Sequence, residues 1–315
     1  MNEIIRKNFV FGMISKINIK LLITLICFAF LGNSIYGNFD SLSNQTITSE
    51  QILWILWGVV FSFFSIIINA YAWKLLINNI GCSINNLNII QLFLATNIYK
   101  YLPGGIWHFV SRYKNLRLEL SNEKSIESIL LEPILMLVAG FIFIPFRGFN
   151  LPIYILCWSS TLLFLPTFRQ SLIKKLRTMK AKIFTNNNIK DRDLAKNCQN
   201  ISTSLFYPYK PLIVEIIFIF FRFIGVLCCV NAFSIGSLVS HGELISSFSL
   251  AWIIGLIVPA APGGLGVFES VILFSLSSHL PEAPLLTSLL CYRLVSTVSD
   301  ILAALIYPVK KIFKV

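Results

Sequence analysis

Charge is scarce in this chain. Only 13% of its 315 residues are Asp, Glu, Lys or Arg, against 56% apolar, which leaves too little polar surface to cover a soluble globule. Acidic residues are the scarcer sign, 14 against 26 cations. Histidine occurs three times, as His108, His241 and His279, at spacings that form no ligand cluster. The seven cysteines contain no CxxC pair, and most lie in apolar runs where Cys behaves as a small hydrophobe. Neither a metal site nor a disulfide framework is expected. GxSxG, HExxH, P-loop and GxGxxG motifs are missing, as is an acidic pair in a soluble segment. The expectation is therefore no enzyme, no cofactor and no metal.

What is present is apolar sequence in long runs. A hydrocarbon core of about 30 Å takes roughly 20 helical residues to cross, and runs of that order recur from Leu21 to Ile306. The fold class is all-α, a single polytopic membrane domain over 1–315. Full spans are predicted at 19–36, 52–76, 126–146, 151–168, 211–235 and 285–307. Arg6, Lys7, Lys16 and Lys20 precede the first run like a signal sequence, but "GNSIYGN" is a poor cleavage site, so a retained first helix is expected.

The net charge of +12 is unevenly placed: ten cations fall between Arg169 and Lys210, and the seventy residues from Phe223 to Tyr292 carry none. In a membrane protein such a bias reports orientation rather than nucleic-acid binding, because cations are retained on the cytoplasmic side. Residues 169–210 then form a basic cytoplasmic loop that anionic headgroups would attract. Both termini are expected in the cytoplasm of a bacterial inner (plasma) membrane, with 37–51 and 279–284 outside.

Two apolar stretches, 87–111 and 244–280, are interrupted by Pro-Gly-Gly. Proline removes a backbone donor and glycine removes the Cβ, so the pair breaks a helix. Counting spans makes the first a re-entrant hairpin from the cytoplasmic side. The second enters from outside as a hairpin or as two full spans, giving six to eight transmembrane helices in all. "PGGIWHF" at 103–109 matches "PGGLGVF" at 262–268 in Pro, Gly, Gly, a branched aliphatic and Phe. Residues 1–147 and 151–315 thus read as two repeats, the second inverted. Inverted repeats with broken helices are the pattern of secondary transporters.

Lipid cannot satisfy the backbone groups freed by a break, so each break is expected to be packed in protein or to line a wet path. Pro103, Gly104, Gly105, Pro262, Gly263, Gly264 and Gly266 are the candidate walls. Intramembrane charges are expensive and mark function or buried pairs. Lys100 and Glu269 stand beside the breaks and are expected to contact substrate, with Arg112 at the cytoplasmic end. Glu132 and Arg293, at nearly equivalent places after Pro103 and Pro262, are either a bridge between the halves or pathway residues, as is Arg222. Glu215, near a helix end, is expected to snorkel.

At "NIYKYLPGGIWHFVSR" (97–112), "GLIVPAAPGGLGVFES" (255–270) and Tyr292–Arg293 the chain resembles the flippase-like family that includes the transmembrane region of lysylphosphatidylglycerol synthases. The resemblance implies a translocator of a lipid with a charged or glycosylated headgroup, an anionic phospholipid or a polyprenyl-linked glycan. Full-length relatives carry a cytosolic aminoacyl-transferring domain, whereas this chain stops eight residues after Tyr307, so synthase activity is not implied. A soluble-solute transporter coupled to an ion through Glu269 is the second class. A non-transporting subunit of an envelope-polysaccharide or lipid-modifying system is the third. A second copy of the chain or an envelope-biosynthesis enzyme would be the protein partner.

Overall fold

Thr48 starts the first described helix with a reciprocal cap: its hydroxyl accepts from the Gln51 amide at 3.3 Å, and the Gln51 side chain accepts from the Thr48 amide at 2.8 Å. The computed structural model describes residues 48–82, 84, 87–102, 105–165, 207–258, 264 and 266–305, with Tyr36 and Phe168. Among the described residues the regular elements are all helical. Numbered over these residues, α1 is Ser49–Asn79, α2 Ile89–Asn97, α3 Trp107–Leu116, α4 Asn122–Phe143, α5 Leu151–Ser159, α6 Tyr209–Ala232, α7 His241–Ile257, α8 Val267–Leu276 and α9 Glu282–Leu305.

Four helices are long and apolar enough to cross a membrane: α1, α4 with its 3-10 extension to Arg147, α6 and α9. They answer to the predicted spans 52–76, 126–146, 211–235 and 285–307. The predicted span 151–168 is corrected. Its α-helix ends at Ser159 and tightens into a 3-10 turn to Phe164, too short for a crossing. Ser159 and Thr161 donate back to the carbonyls of Leu156 and Trp158, both at 2.7 Å. The predicted first span, 19–36, and the basic segment 169–206 lie outside the described residues.

α1 shows the polarity of a helix in lipid. Its outward stripe is Ile52, Leu56, Val60 and Phe64, while Gly58, Ser62, Ser65 and Asn69 are buried. With no hydrophobic drive between helices in a bilayer, small residues that permit close approach take over. Gly58 meets Gly225 of α6: a Cβ on Gly58 would stand 3.4 Å from the Gly225 carbonyl oxygen. α6 packs along α1 and also meets α4 and α9, which makes it the central helix.

The flanks of each Pro-Gly-Gly are short. α2 and α3, of 9 and 10 residues, pack on each other, and α2 also meets α1 and α9. α7 and α8, of 17 and 10 residues, pack together, and α7 leans on α4 and its extension. There Ser246 donates to the Ile144 carbonyl at 2.5 Å, and Arg147 pairs with Glu243 at 3.0 Å. Two expectations fail in the core. Glu215 is fully buried rather than snorkelling, because α6 has neighbours on several sides at that depth. Cys82 is disulfide-bonded, where the cysteine spacing gave no sign of a bridge.

Candidate functional site

The end of α2 tightens into a 3-10 turn at Ile98–Tyr101, and this over-winding brings Asn97, Lys100 and Tyr101 onto one carboxylate of α9. Asn97 Nδ2 donates to Asp300 Oδ1 at 2.9 Å, and the Tyr101 hydroxyl donates to Oδ2 at 2.6 Å. Lys100 Nζ lies 2.8 Å from Oδ2, and Arg222 of α6 approaches Oδ1 at 3.6 Å. Asp300 is fully buried, so the carboxylate ties the first break, the central helix and the last span together. Sequence reasoning missed it. The signal was available: Asp300 is the one carboxylate in the apolar run 285–307.

Arg112 is 1% exposed, not at the surface as its run of neighbouring cations implied. The buried face of α3 is Ser111, Arg112, Asn115 and Leu116, so helical phase turns Arg112 inward and leaves Lys114 outside. Arg112 Nη1 donates to Glu132 Oε2 at 3.0 Å and Nε donates to Thr96 Oγ1 at 3.2 Å. The guanidinium carbon sits 3.7 Å from the Phe93 ring centre, a cation–π contact that replaces lost water. The expected Glu132–Arg293 bridge is thereby corrected: Glu132 is taken by Arg112.

Arg293 instead holds the second break closed. Its Nε donates to Glu269, its Nη2 donates to the Gly264 carbonyl at 2.9 Å, and Glu269 Oε2 accepts from the Gly266 amide at 2.8 Å. Backbone groups that the break frees are met by a carboxylate and a guanidinium, as burial demands. Glu269 is 1% exposed and caps α8; its partner Arg293, not Glu269 itself, stands on the wall of the cavity described next.

That cavity, of about 210 Å³, reaches both breaks. Gly105 and Gly264, the third residues of the two Pro-Gly-Gly motifs, both line it, with φ of 63° and 71°. These left-handed values favour glycine. Pro103, Gly104, Pro262 and Gly263 lie outside the described residues, and Gly266 is engaged in the α8 cap. Four cations face the space: Lys100, Arg112, Arg222 and Arg293. Three have a carboxylate within 3.0 Å. Arg222 has Asp300 only at 3.6 Å and the Tyr292 hydroxyl bearing on it, and among the described residues its Nε and Nη1 make no hydrogen bond. Unmet buried donors of this kind are rare and call for an acceptor. Phe93, Phe218, Trp252 and Phe268 supply apolar wall, and Asn69, Asn97, His108, Glu132 and Ser296 add polar groups to it. Among the described residues no group of His, Cys, Asp and Glu could hold a metal ion.

A family model described as the lysylphosphatidylglycerol synthase TM region matches residues 17–304 of the chain. The match takes in both glycine motifs, the cavity and α9. Among curated proteins no match to the chain was found.

Proposed function

Because the chain belongs to the family of the lysylphosphatidylglycerol synthase transmembrane region, we propose that it moves an anionic or glycosylated lipid between the leaflets of a bacterial inner membrane, without chemistry on that lipid. The observation that carries this reading is Arg222, a cation with two unmet donors on the wall of a partly open cavity between two helix breaks. A phosphodiester has the charge and the acceptor oxygens to meet it. At about 210 Å³ the cavity is smaller than the ~300–1,000 Å³ of drug-sized pockets. It suits the phosphate portion of a headgroup, with acyl or prenyl chains left in the bilayer beside the apolar outer faces.

The mechanism follows from the breaks. Residues 1–147 and 151–315 act as inverted repeats, and the matched left-handed Gly105 and Gly264 support that reading. Each break is held by a replaceable ionic lock, Lys100 with Asp300 on one side and Arg293 with Glu269 on the other. An entering phosphate competes with a carboxylate for the same cations, so headgroup binding loosens one lock while the other stays shut. That is alternating access at the scale of a few side chains. Both termini and residues 112–124 face the cytoplasm in this reading.

Translocation of a headgroup-labelled phosphatidylglycerol in proteoliposomes tests it. Lys100→Gln keeps length and polarity but loses the charge that holds Asp300, and is expected to reduce translocation to the level of empty liposomes while the protein remains folded. Wild-type translocation by Lys100→Gln would remove the lock from the mechanism.

A further inference from the structure

One buried group takes no part in the locks. Glu215 of α6 is fully buried, and neither of its carboxylate oxygens has a hydrogen-bond partner. It stands seven residues, about two helical turns, before Arg222 on the same helix. The charged groups that bear on it are Glu132 of α4 and Arg112 of α3, which are already paired with each other. Among the described residues no other ionisable side chain closes on it from the helices packed against α6. α1 turns Glu50, Tyr71 and Lys74 outward, and α4 keeps Lys124 and Glu127 as a pair in its first turns. Tyr292 and Asp300 of α9 bear on Arg222, and Arg293 is engaged by Glu269. α7 carries His241 and Glu243 in its first turn, beside Arg147. On α6 itself, Tyr209 and Lys210 are exposed.

The charges of the enclosed set then decide the matter. Lys100, Arg112, Arg222 and Arg293 face Glu132, Asp300 and Glu269, with Glu215 as the fourth carboxylate. With Glu215 ionised the set is neutral, and a phosphodiester entering it would bring a net negative charge into a low-dielectric interior at high cost. With Glu215 neutral the set carries one surplus positive charge, centred on Arg222, the cation whose donors are unmet.

We propose that Glu215 is a proton-binding site that couples one proton to one anionic headgroup: the anion is admitted at Arg222 only when Glu215 carries its proton. The inference rests on the lipid-translocator reading and adds the coupling ion to it. A buried carboxyl group without hydrogen-bond partners is stable as the neutral acid. Linkage makes the effect reciprocal: a bound anion holds the proton more tightly, and a bound proton holds the anion more tightly. The proton on Glu215 and the anion at Arg222 are bound and released together, so the pair crosses the bilayer with no net charge.

Short-chain phosphatidylglycerol, whose phosphodiester does not titrate near neutrality, is the probe. Its binding to the purified full-length protein in detergent is followed by calorimetry in buffers of different ionisation enthalpy. Where Glu215 already carries its proton in the lipid-free protein, binding is expected to be independent of pH and without proton uptake; at alkaline pH, where the free protein has lost that proton, uptake is expected to rise towards one proton per lipid bound while affinity falls up to tenfold per pH unit. Glu215→Gln, a permanent analogue of the neutral acid, is expected to bind at every pH with no proton uptake. Arg222→Gln is expected to lose binding throughout. Binding that depends on Arg222 but takes up no proton at any pH, with affinity unchanged into the alkaline range, would overturn the coupling while leaving the translocator reading intact. A pH slope that survives in Glu215→Gln and disappears in His108→Gln, His108 being another titratable group on the cavity wall, would overturn it too. Failure of the wild type to bind the lipid at any pH would count against the translocator reading itself.

Discussion

Arg112 illustrates how little of a charged residue's role its neighbours in sequence reveal. It stands in a stretch with Lys114 and Arg117, the pattern of a cytoplasmic anchor, yet it is buried on Phe93 and paired with Glu132. The physical reason is helical phase, which puts residues three and four apart on one face and turns a residue two positions on, such as Lys114, to the far side. Removing one partner of a buried pair leaves an uncompensated charge, typically at a cost of 3–5 kcal/mol. Arg112→Gln and Glu132→Gln are each expected to lower stability by about that amount in thermal unfolding, with partial recovery in the double variant. Arg112→Lys is expected to recover less, because an ammonium cannot span Glu132, Thr96 and the Phe93 ring at once. Unaltered melting of either single variant would show the pair to be dispensable. Asp300 is the opposite case, a lone acid in an apolar run whose position alone marks it as engaged. Its partners Asn97, Lys100 and Tyr101 lie some two hundred residues away and could not be read from spacing.

Among the elements, the crossing of α1 and α6 depends on the absence of side chains. A Cβ on Gly225 would come within 2.5 Å of Ser62 Oγ. Gly225→Val is therefore expected to destabilise the protein by about 1–3 kcal/mol through overpacking, and Ser62→Ala to return part of the loss. Equal melting of Gly225→Val and wild type would mean the helices can separate without penalty. Gly264 makes a different demand: nothing crowds its Cβ, but its φ of 71° disfavours any side chain. Gly264→Ala is expected to cost about 1–2 kcal/mol, read as a lower melting temperature. The helices were legible in sequence where long runs of apolar residues were unambiguous, as in α1, α4, α6 and α9. The run 151–168 was equally apolar, but hydropathy does not register where a helix tightens and stops, as this one does in the 3-10 turn Ser160–Phe164 that ends at Leu165. Pro-Gly-Gly located both breaks, because backbone chemistry there is local. Which side chain would satisfy each break was not local, and the Glu269–Arg293 clamp on Gly264 and Gly266 emerged only from the packed helices.

For the whole molecule, the central claim is that a cavity bounded by two helix breaks carries the phosphate of a lipid across the bilayer on Arg222. Its topology can be tested separately: in a background without native cysteines, a cysteine at position 117 is expected to react with membrane-impermeant reagent only from the cytoplasmic side. Labelling from outside would remove the first hairpin and the inverted arrangement with it. The most direct measurement is of lipid movement itself. Proteoliposomes containing phosphatidylglycerol or phosphatidylcholine with a quenchable headgroup label would be compared for wild type and Arg222→Gln. We expect wild type to expose inner-leaflet phosphatidylglycerol to the quencher much faster than phosphatidylcholine, and Arg222→Gln, folded by its melting curve, to match empty liposomes. Equal rates for wild type and Arg222→Gln would contradict the account.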